Sequence, residues 1–166
     1  MKKIYLLATT VIALLLTSCS KEEFHAQYVF VVSDEMETKA VFNGHNEKGP
    51  DITWEEGDNV RVTIEVYDPN HIPMKEEDYL DLVNGKCVYE SGKWETYVAQ
   101  GESFVKTDCF SVRSPMLGSM VSMHFFYENG SMINNNKDYF CTGWNRSELF
   151  TEGRQTIEVK LPFVEN

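Results

Sequence analysis

Apolar and polar residues alternate with a period of two along most of this chain, and no long stretch carries the three-to-four spacing of an amphipathic helix. Residues 59–67 are the clearest case. Val60, Val62, Ile64 and Val66 fall on one face, and Arg61, Thr63 and Glu65 on the other. That is the pattern of a strand with one side buried and one side wet. Residues 28–32 read as a first strand, and residues 121–127 and 155–163 as two late ones. Residues 79–83, 86–90 and 93–98 are set apart by Asn84-Gly85 and Ser91-Gly92, dipeptides suited to tight turns with positive φ, so they predict a meander. Asn129-Gly130 marks a further turn and residues 134–136 a polar loop. An alternative for residues 74–83 is a short helix, with Pro73 beside its start, Glu76, Glu77 and Asp78 in its first turns and Gly85 past its end. Seven or eight short strands with frequent turns predict an all-β fold of β-sandwich type.

The first residues stand outside that pattern. Lys2 and Lys3 precede an uncharged run, residues 4–16, that leads through small polar residues to Cys19. Thirteen helical residues reach about 20 Å, short of a hydrocarbon core of about 30 Å, so the segment reads as a secretory signal. Leu16-Thr17-Ser18-Cys19 resembles the lipobox of bacterial lipoproteins, which implies lipidation of the Cys19 sulfur and an outer-membrane anchor. At about 0.8 kcal/mol per buried CH₂, several acyl chains make such an attachment nearly permanent. Lys21, Glu22 and Glu23 resemble the Lys-acidic-acidic signal that sends Bacteroidetes lipoproteins to the outer face of the outer membrane. The expected organisation is a signal peptide over residues 1–18, a lipidated tether over 19–26 and one β-sandwich over 27–166.

Charge and composition narrow the function. The chain has 166 residues, 42% of them hydrophobic, with 26 acidic groups against 15 basic ones and a formal charge of −11. That hydrophobic content suits one compact domain, and the acidity repels phosphate backbones, so nucleic-acid binding is set aside. With Cys19 committed to lipid, Cys87, Cys109 and Cys141 remain. An odd count cannot form a closed disulfide framework, so at most one pair joins, and their apolar neighbours make buried thiols the simpler expectation. No Cys/His spacing suits zinc, the four histidines are scattered, and nothing calls for a cofactor. Ser103-Phe104-Val105-Lys106 matches S-x-x-K, but strand surroundings put serine and lysine on opposite faces. Glu55, Glu56 and Asp58, like Glu76, Glu77 and Asp78, read as solvated acids and not as opposed carboxylates of a hydrolase. Trp54, Trp94 and Trp144 are candidates for the core, or, if exposed and coplanar, for stacking on sugars.

Thr38-Lys39-Ala40, followed by residues 52–62 with Trp54, Gly57 and Asp58, resembles the N-terminal signature of the fimbrillin-like proteins of Bacteroidetes, approximately T-[RK]-A, a spacer, then W-x-x-G-D-x-[IV]-x-[VI]. The likeness covers residues 36–66, with looser echoes at 121–127 and 159–163. It implies a Greek-key, transthyretin-like β-sandwich that assembles by donor-strand exchange. In that scheme residues 28–32 form the removable first strand, and Lys39 stands where an arginine precedes the cut in processed pilins. It also implies a short or truncated member, since relatives carry a second domain and a donor strand. The function expected from the resemblance is cell adhesion or pilus assembly at the cell surface, with other fimbrillin-like subunits or host and bacterial surface receptors as partners and no catalysis. The rival expectation is a glycan-binding surface lipoprotein that uses exposed aromatic rings.

Overall fold

A computed structural model of the chain describes residues 22–34, 53–129, 131–134 and 137–165, with backbone only for 131–134, 137–139 and 164–165. The signal segment, Cys19, Lys21, Lys39, Gly130 and the Asn135-Asn136 pair lie outside the described residues. Among those residues there are twelve strands and one short 3-10 turn. The strands are β1 (Phe24–Val32), β2 (Asn59–Tyr67), β3 (Asp81–Glu90), β4 (Lys93–Gln100), β5 (Ser103–Thr107) and β6 (Phe110–Ser114), then β7 (Met120–Tyr127), β8 (Ser131–Asn134), β9 (Lys137–Cys141), β10 (Trp144–Leu149), β11 (Gly153–Val159) and β12 (Phe163–Glu165). They form a six-stranded sheet in the order β10-β7-β2-β3-β4-β5 and two three-stranded sheets, β11-β1-β6 and β12-β9-β8. The fold is an all-β sandwich.

The core follows directly from the alternation. Val60, Val62, Ile64 and Val66 of β2 are completely buried, and β7 sets Val121, Met123, Phe125 and Tyr127 beside them on the same face. Ala26, Tyr28, Phe30 and Val32 of β1 face them from the smaller sheet, with Phe110 and Val112 of β6 and Ile157 and Val159 of β11. Phe30 is where the layers meet. Its ring lies edge-on to Phe125 at 4.8 Å and tilted to Phe110 at 5.2 Å. Fully burying each such side chain contributes about 1.5–3 kcal/mol. The sheet β12-β9-β8 closes one end, with Phe163 packed on Tyr127 at 5.5 Å and on Trp54 at 6.4 Å.

Several sequence expectations change. The first strand begins at Phe24, so the last residues of the expected tether belong to β1. The expected turn at Asn84-Gly85 is absent, because β3 runs unbroken from Asp81 to Glu90 with Gly85 opposite Val62 and Val98. Gly85 is there for space and not for a turn. A Cβ at that position would sit 2.3 Å from the Tyr97 carbonyl oxygen and 2.4 Å from Cε1 of Phe110. Missing side-chain volume thus lets the Phe110 ring rest on the strand. Ser91-Gly92 is the true turn, with φ of 52° and 79°, as a two-residue hairpin with inverted turn geometry requires. The alternative helix over residues 74–83 shrinks to a 3-10 turn over Glu76–Asp78. The expected strand over 155–163 is two strands, β11 and β12, separated at Lys160 to Pro162.

The parallel pairing of β1 with β11, from Ala26 opposite Gly153 to Val32 opposite Val159, has no forecast in local periodicity. It places the first described strand in the middle of its sheet.

Gly85→Ala is expected to destabilise the domain by about 1–3 kcal/mol, the cost of overpacking a filled core, as a lowered urea midpoint. An unchanged midpoint would show that Phe110 moves aside freely.

Candidate functional site

Two regions of the fold gather the residues that the sequence singles out. The first is the W-x-x-G-D turn that leads into β2. The Asp58 amide donates to the Glu55 carbonyl at 3.0 Å, closing a four-residue turn in which Gly57 takes φ +92°. That sign of φ is what a type II turn demands at its third residue, and nothing crowds the position, so conformation alone selects glycine there. Asp58 is 6% exposed. Its Oδ2 accepts from the Glu55 amide at 2.7 Å, and its Oδ1 accepts from the Tyr127 hydroxyl at 2.6 Å. The turn is also stitched to β3, where the Gly57 amide donates to the Tyr89 carbonyl at 2.9 Å and the Tyr89 amide to the Asp58 carbonyl at 2.8 Å. Glu56 Oε2 accepts from the Ser91 amide at 2.9 Å.

These contacts make the motif a clasp. Burial, and then the Asp58 carboxylate, push the Tyr127 phenol well above its ordinary value. Trp54 is buried edge-on to Trp94 at 4.9 Å, while Trp144 is half-buried against Phe125 at 5.1 Å. The tryptophans therefore form no coplanar exposed pair. On the outer face of the six-stranded sheet, Phe126 and Phe104 are exposed, but Arg61 lies over the first ring at 5.6 Å and Lys86 over the second at 4.5 Å. Both faces already hold a cation.

The second region is the slot that β1 fills. β1 pairs in parallel with β11 and antiparallel with β6, from Phe24 opposite Ser114 to Tyr28 opposite Phe110. No ladder joins β11 to β6 directly. Without β1 both would present unpaired backbone edges beside an uncovered apolar floor. Tyr28 is fully buried, and burial followed by the nearby Glu148 charge pushes its phenol up to about 12. Glu23, expected to act in export, is exposed at the head of this slot and pairs with Arg113 of β6 at 3.7 Å. Glu22 is exposed beside it.

The remaining candidates stay apart. Cys87, Cys109 and Cys141 are buried and unpaired, and burial raises the Cys87 thiol to about 12. Ser103 donates to the Gln100 carbonyl at 3.1 Å while Lys106 reaches Glu95 at 3.2 Å, so the S-x-x-K pair does not converge. Among the described residues no group of three or more His, Cys, Asp or Glu side chains could hold a metal ion.

Pattern reading missed a polar chain across the outer face. Glu65 of β2 meets His124 Nε2 at 3.2 Å, and His124 Nδ1 meets Asn145 of β10 at 2.8 Å. The outward position of each residue is legible from alternation, but only the register of three strands brings them together. Comparison with protein-family models, curated proteins and solved structures finds no match to this chain.

Tyr127→Phe is expected to cost about 1.5–3 kcal/mol, as loss of a hydrogen bond to a buried carboxylate, with Asp58→Ala costing at least as much. A double-mutant cycle should return a coupling of about 0.5–3 kcal/mol by urea denaturation, and strict additivity would dissolve the clasp.

Raised values also set a pH response. The Cys87 thiol starts from 9.0 and the Tyr28 phenol from 10.0, and both stay protonated in the fold up to about 12. The unfolded chain loses these protons first, so their contribution is fully present below about pH 9 and falls as pH rises towards 12. The urea midpoint should therefore be flat to about pH 9 and then decline, with the early part of the decline weakened in Cys87→Ala.

Proposed function

We propose that this chain is a surface-exposed lipoprotein of fimbrillin type that works in cell adhesion or pilus assembly by β-strand complementation. The reading joins the Cys19 lipobox and the Lys21, Glu22, Glu23 signal to one structural observation. β1, the first described strand, is the central strand of its sheet, and it supplies Ala26, Tyr28, Phe30 and Val32 to the core.

A strand so placed can be exchanged for one of equal pattern. An incoming segment would regain main-chain hydrogen bonds on two sides and fill pockets at alternate residues. Lys39 lies between β1 and β2, so a cut there would leave β1 held only by non-covalent contacts. In this reading the Greek-key, transthyretin-like connectivity is that of fimbrillin N-terminal domains. The lipid holds the protein to the outer membrane, and its partners are other fimbrillin-like subunits or surface receptors. No catalytic role is assigned. The glycan-binding alternative, resting on exposed aromatic rings, gains no support from tryptophans packed on the core, and the exposed Phe126 and Phe104 rings each have a cation over them.

Antibody labelling of intact cells should detect the chain, and the mass of the surface form should lack residues 1–18 and carry acyl chains on Cys19, or begin after Lys39 where β1 has been exchanged. Ala26 lies opposite Val112. The pair Ala26→Cys and Val112→Cys should lock β1 in place and abolish high-mass assemblies under oxidising conditions, with recovery on reduction. Unlipidated protein confined to the periplasm, or assembly that ignores the lock, would overturn the proposal.

A further inference from the structure

The six-stranded sheet ends in β10 on one side and β5 on the other, and the two edges are finished differently. On β10, Arg146 lies opposite Met123 and Glu148 opposite Val121, so both charges point to the core side, where they pair at 2.7 Å. Inward charges on an outermost strand deter a further strand from joining it. β5 has no such device. It pairs one-to-one with β4, from Ser103 opposite Gln100 to Thr107 opposite Thr96, with no bulge and no proline. Its core-side residues are Ser103, Val105 and Thr107, with Val105 opposite Val98, which packs on the core.

The free hydrogen-bonding groups of this edge follow from its turn. Gly101-Glu102 is a two-residue loop with Gly101 at φ 63°, so the pair that closes it, Gln100 with Ser103, exchanges main-chain hydrogen bonds. By alternation Val105 and Thr107 also bond to β4, whereas the N–H and C=O groups of Phe104 and Lys106 turn outwards. Among the described residues no strand pairs with that edge. Phe104 is 48% exposed and Val105 43%.

The edge is self-complementary. When two copies of β5 run antiparallel about a two-fold axis at Val105, Phe104 of each faces Lys106 of the other, and four main-chain hydrogen bonds form. An axis at Phe104 or at Lys106 forms only two, because the next partners, Glu102 and Asp108, lie outside the strand. An axis at Lys106 also sets two ammonium groups against each other. In the favoured register each ammonium instead meets a ring, the kind of contact that Lys86 makes with Phe104 at 4.5 Å, and Lys106 keeps Glu95 at 3.2 Å. The two Val105 side chains meet on the core side. There β6 packs over β2 and β3, so β4 and β5 project beyond the smaller sheet and leave room for the second copy.

We infer that β5 is a docking edge for a second copy of this chain, joined antiparallel across Val105 so that two six-stranded sheets become one. A contact of one short strand per copy falls below the about 1,200 Å² of stable interfaces, so the dimer is weak and forms at high local concentration. It uses no part of β1 and is independent of strand exchange.

Symmetric disulfide trapping on the full chain tests the register. Facing residues in a pair without hydrogen bonds have Cα atoms about 4.5 Å apart, a span that a disulfide bridges. Val105→Cys should give a covalent dimer under mild oxidation at micromolar to millimolar protein. Phe104→Cys, displaced along the strand from its own counterpart, should give no more than the unsubstituted chain. Sedimentation equilibrium of the unsubstituted chain over the same range should show a monomer–dimer step. That step should vanish in Phe104→Pro, which removes an outward N–H without touching the β4 ladder, and in Val105→Glu, which brings two carboxylates to the axis. Both side chains are exposed, so circular dichroism should show the variants folded. A chain that stays monomeric, a Val105→Cys yield no higher than that of Phe104→Cys, or a dimer that survives in either folded variant would overturn the inference.

Discussion

The contact of Phe30 with Phe110 and Phe125 is the point on which the two main sheets depend. Sheets stack about 10 Å apart, and a gap of that depth is filled only when large side chains from both inner faces interdigitate. Phe30 comes from β1, Phe110 from β6 and Phe125 from β7, so one cluster of rings couples three strands distant in sequence. Gly85 belongs to the same constraint, because the Phe110 ring rests where its side chain would be. A core this dense leaves β1 no neutral way to be absent: whatever vacates the slot must be replaced.

The W-x-x-G-D turn has a different kind of importance. Its residues form the clearest short motif in the sequence, yet their work lies within the fold. Asp58 holds the Glu55 amide and the Tyr127 hydroxyl, and Trp54 seals the space between the main core and the small closing sheet. A buried carboxylate that accepts two hydrogen bonds is well satisfied and has little capacity left for chemistry. The signature therefore marks how the strand after it is launched and anchored, and the functional surface has to be sought elsewhere.

Two places answer that search. One is the β1 slot, where backbone hydrogen bonding on two sides makes a strand the only suitable occupant. The other is the outer face, where the register of three strands brings Glu65, His124 and Asn145 together. They lie on opposite sides of the six-stranded sheet.

Alternation alone made much of the sandwich legible. The buried face of β2, the strand at 121–127 and the hairpin at Ser91-Gly92 follow from side-chain period and turn chemistry, which are local properties. The acidic character and the unpaired state of the three buried cysteines were equally open to reading. Asn84-Gly85 was misread because a glycine placed for close packing looks like a glycine placed for a turn until its neighbour across the core is known. The parallel pairing of β1 with β11 joins residues 127 apart in sequence, Ala26 with Gly153 through Val32 with Val159, and no local period encodes a partner so distant. The Glu65, His124 and Asn145 chain has the same origin. Residue pattern determines which face of a strand is wet or dry, whereas the choice of neighbour, and so every site built across strands, is decided only when long-range packing sets the register.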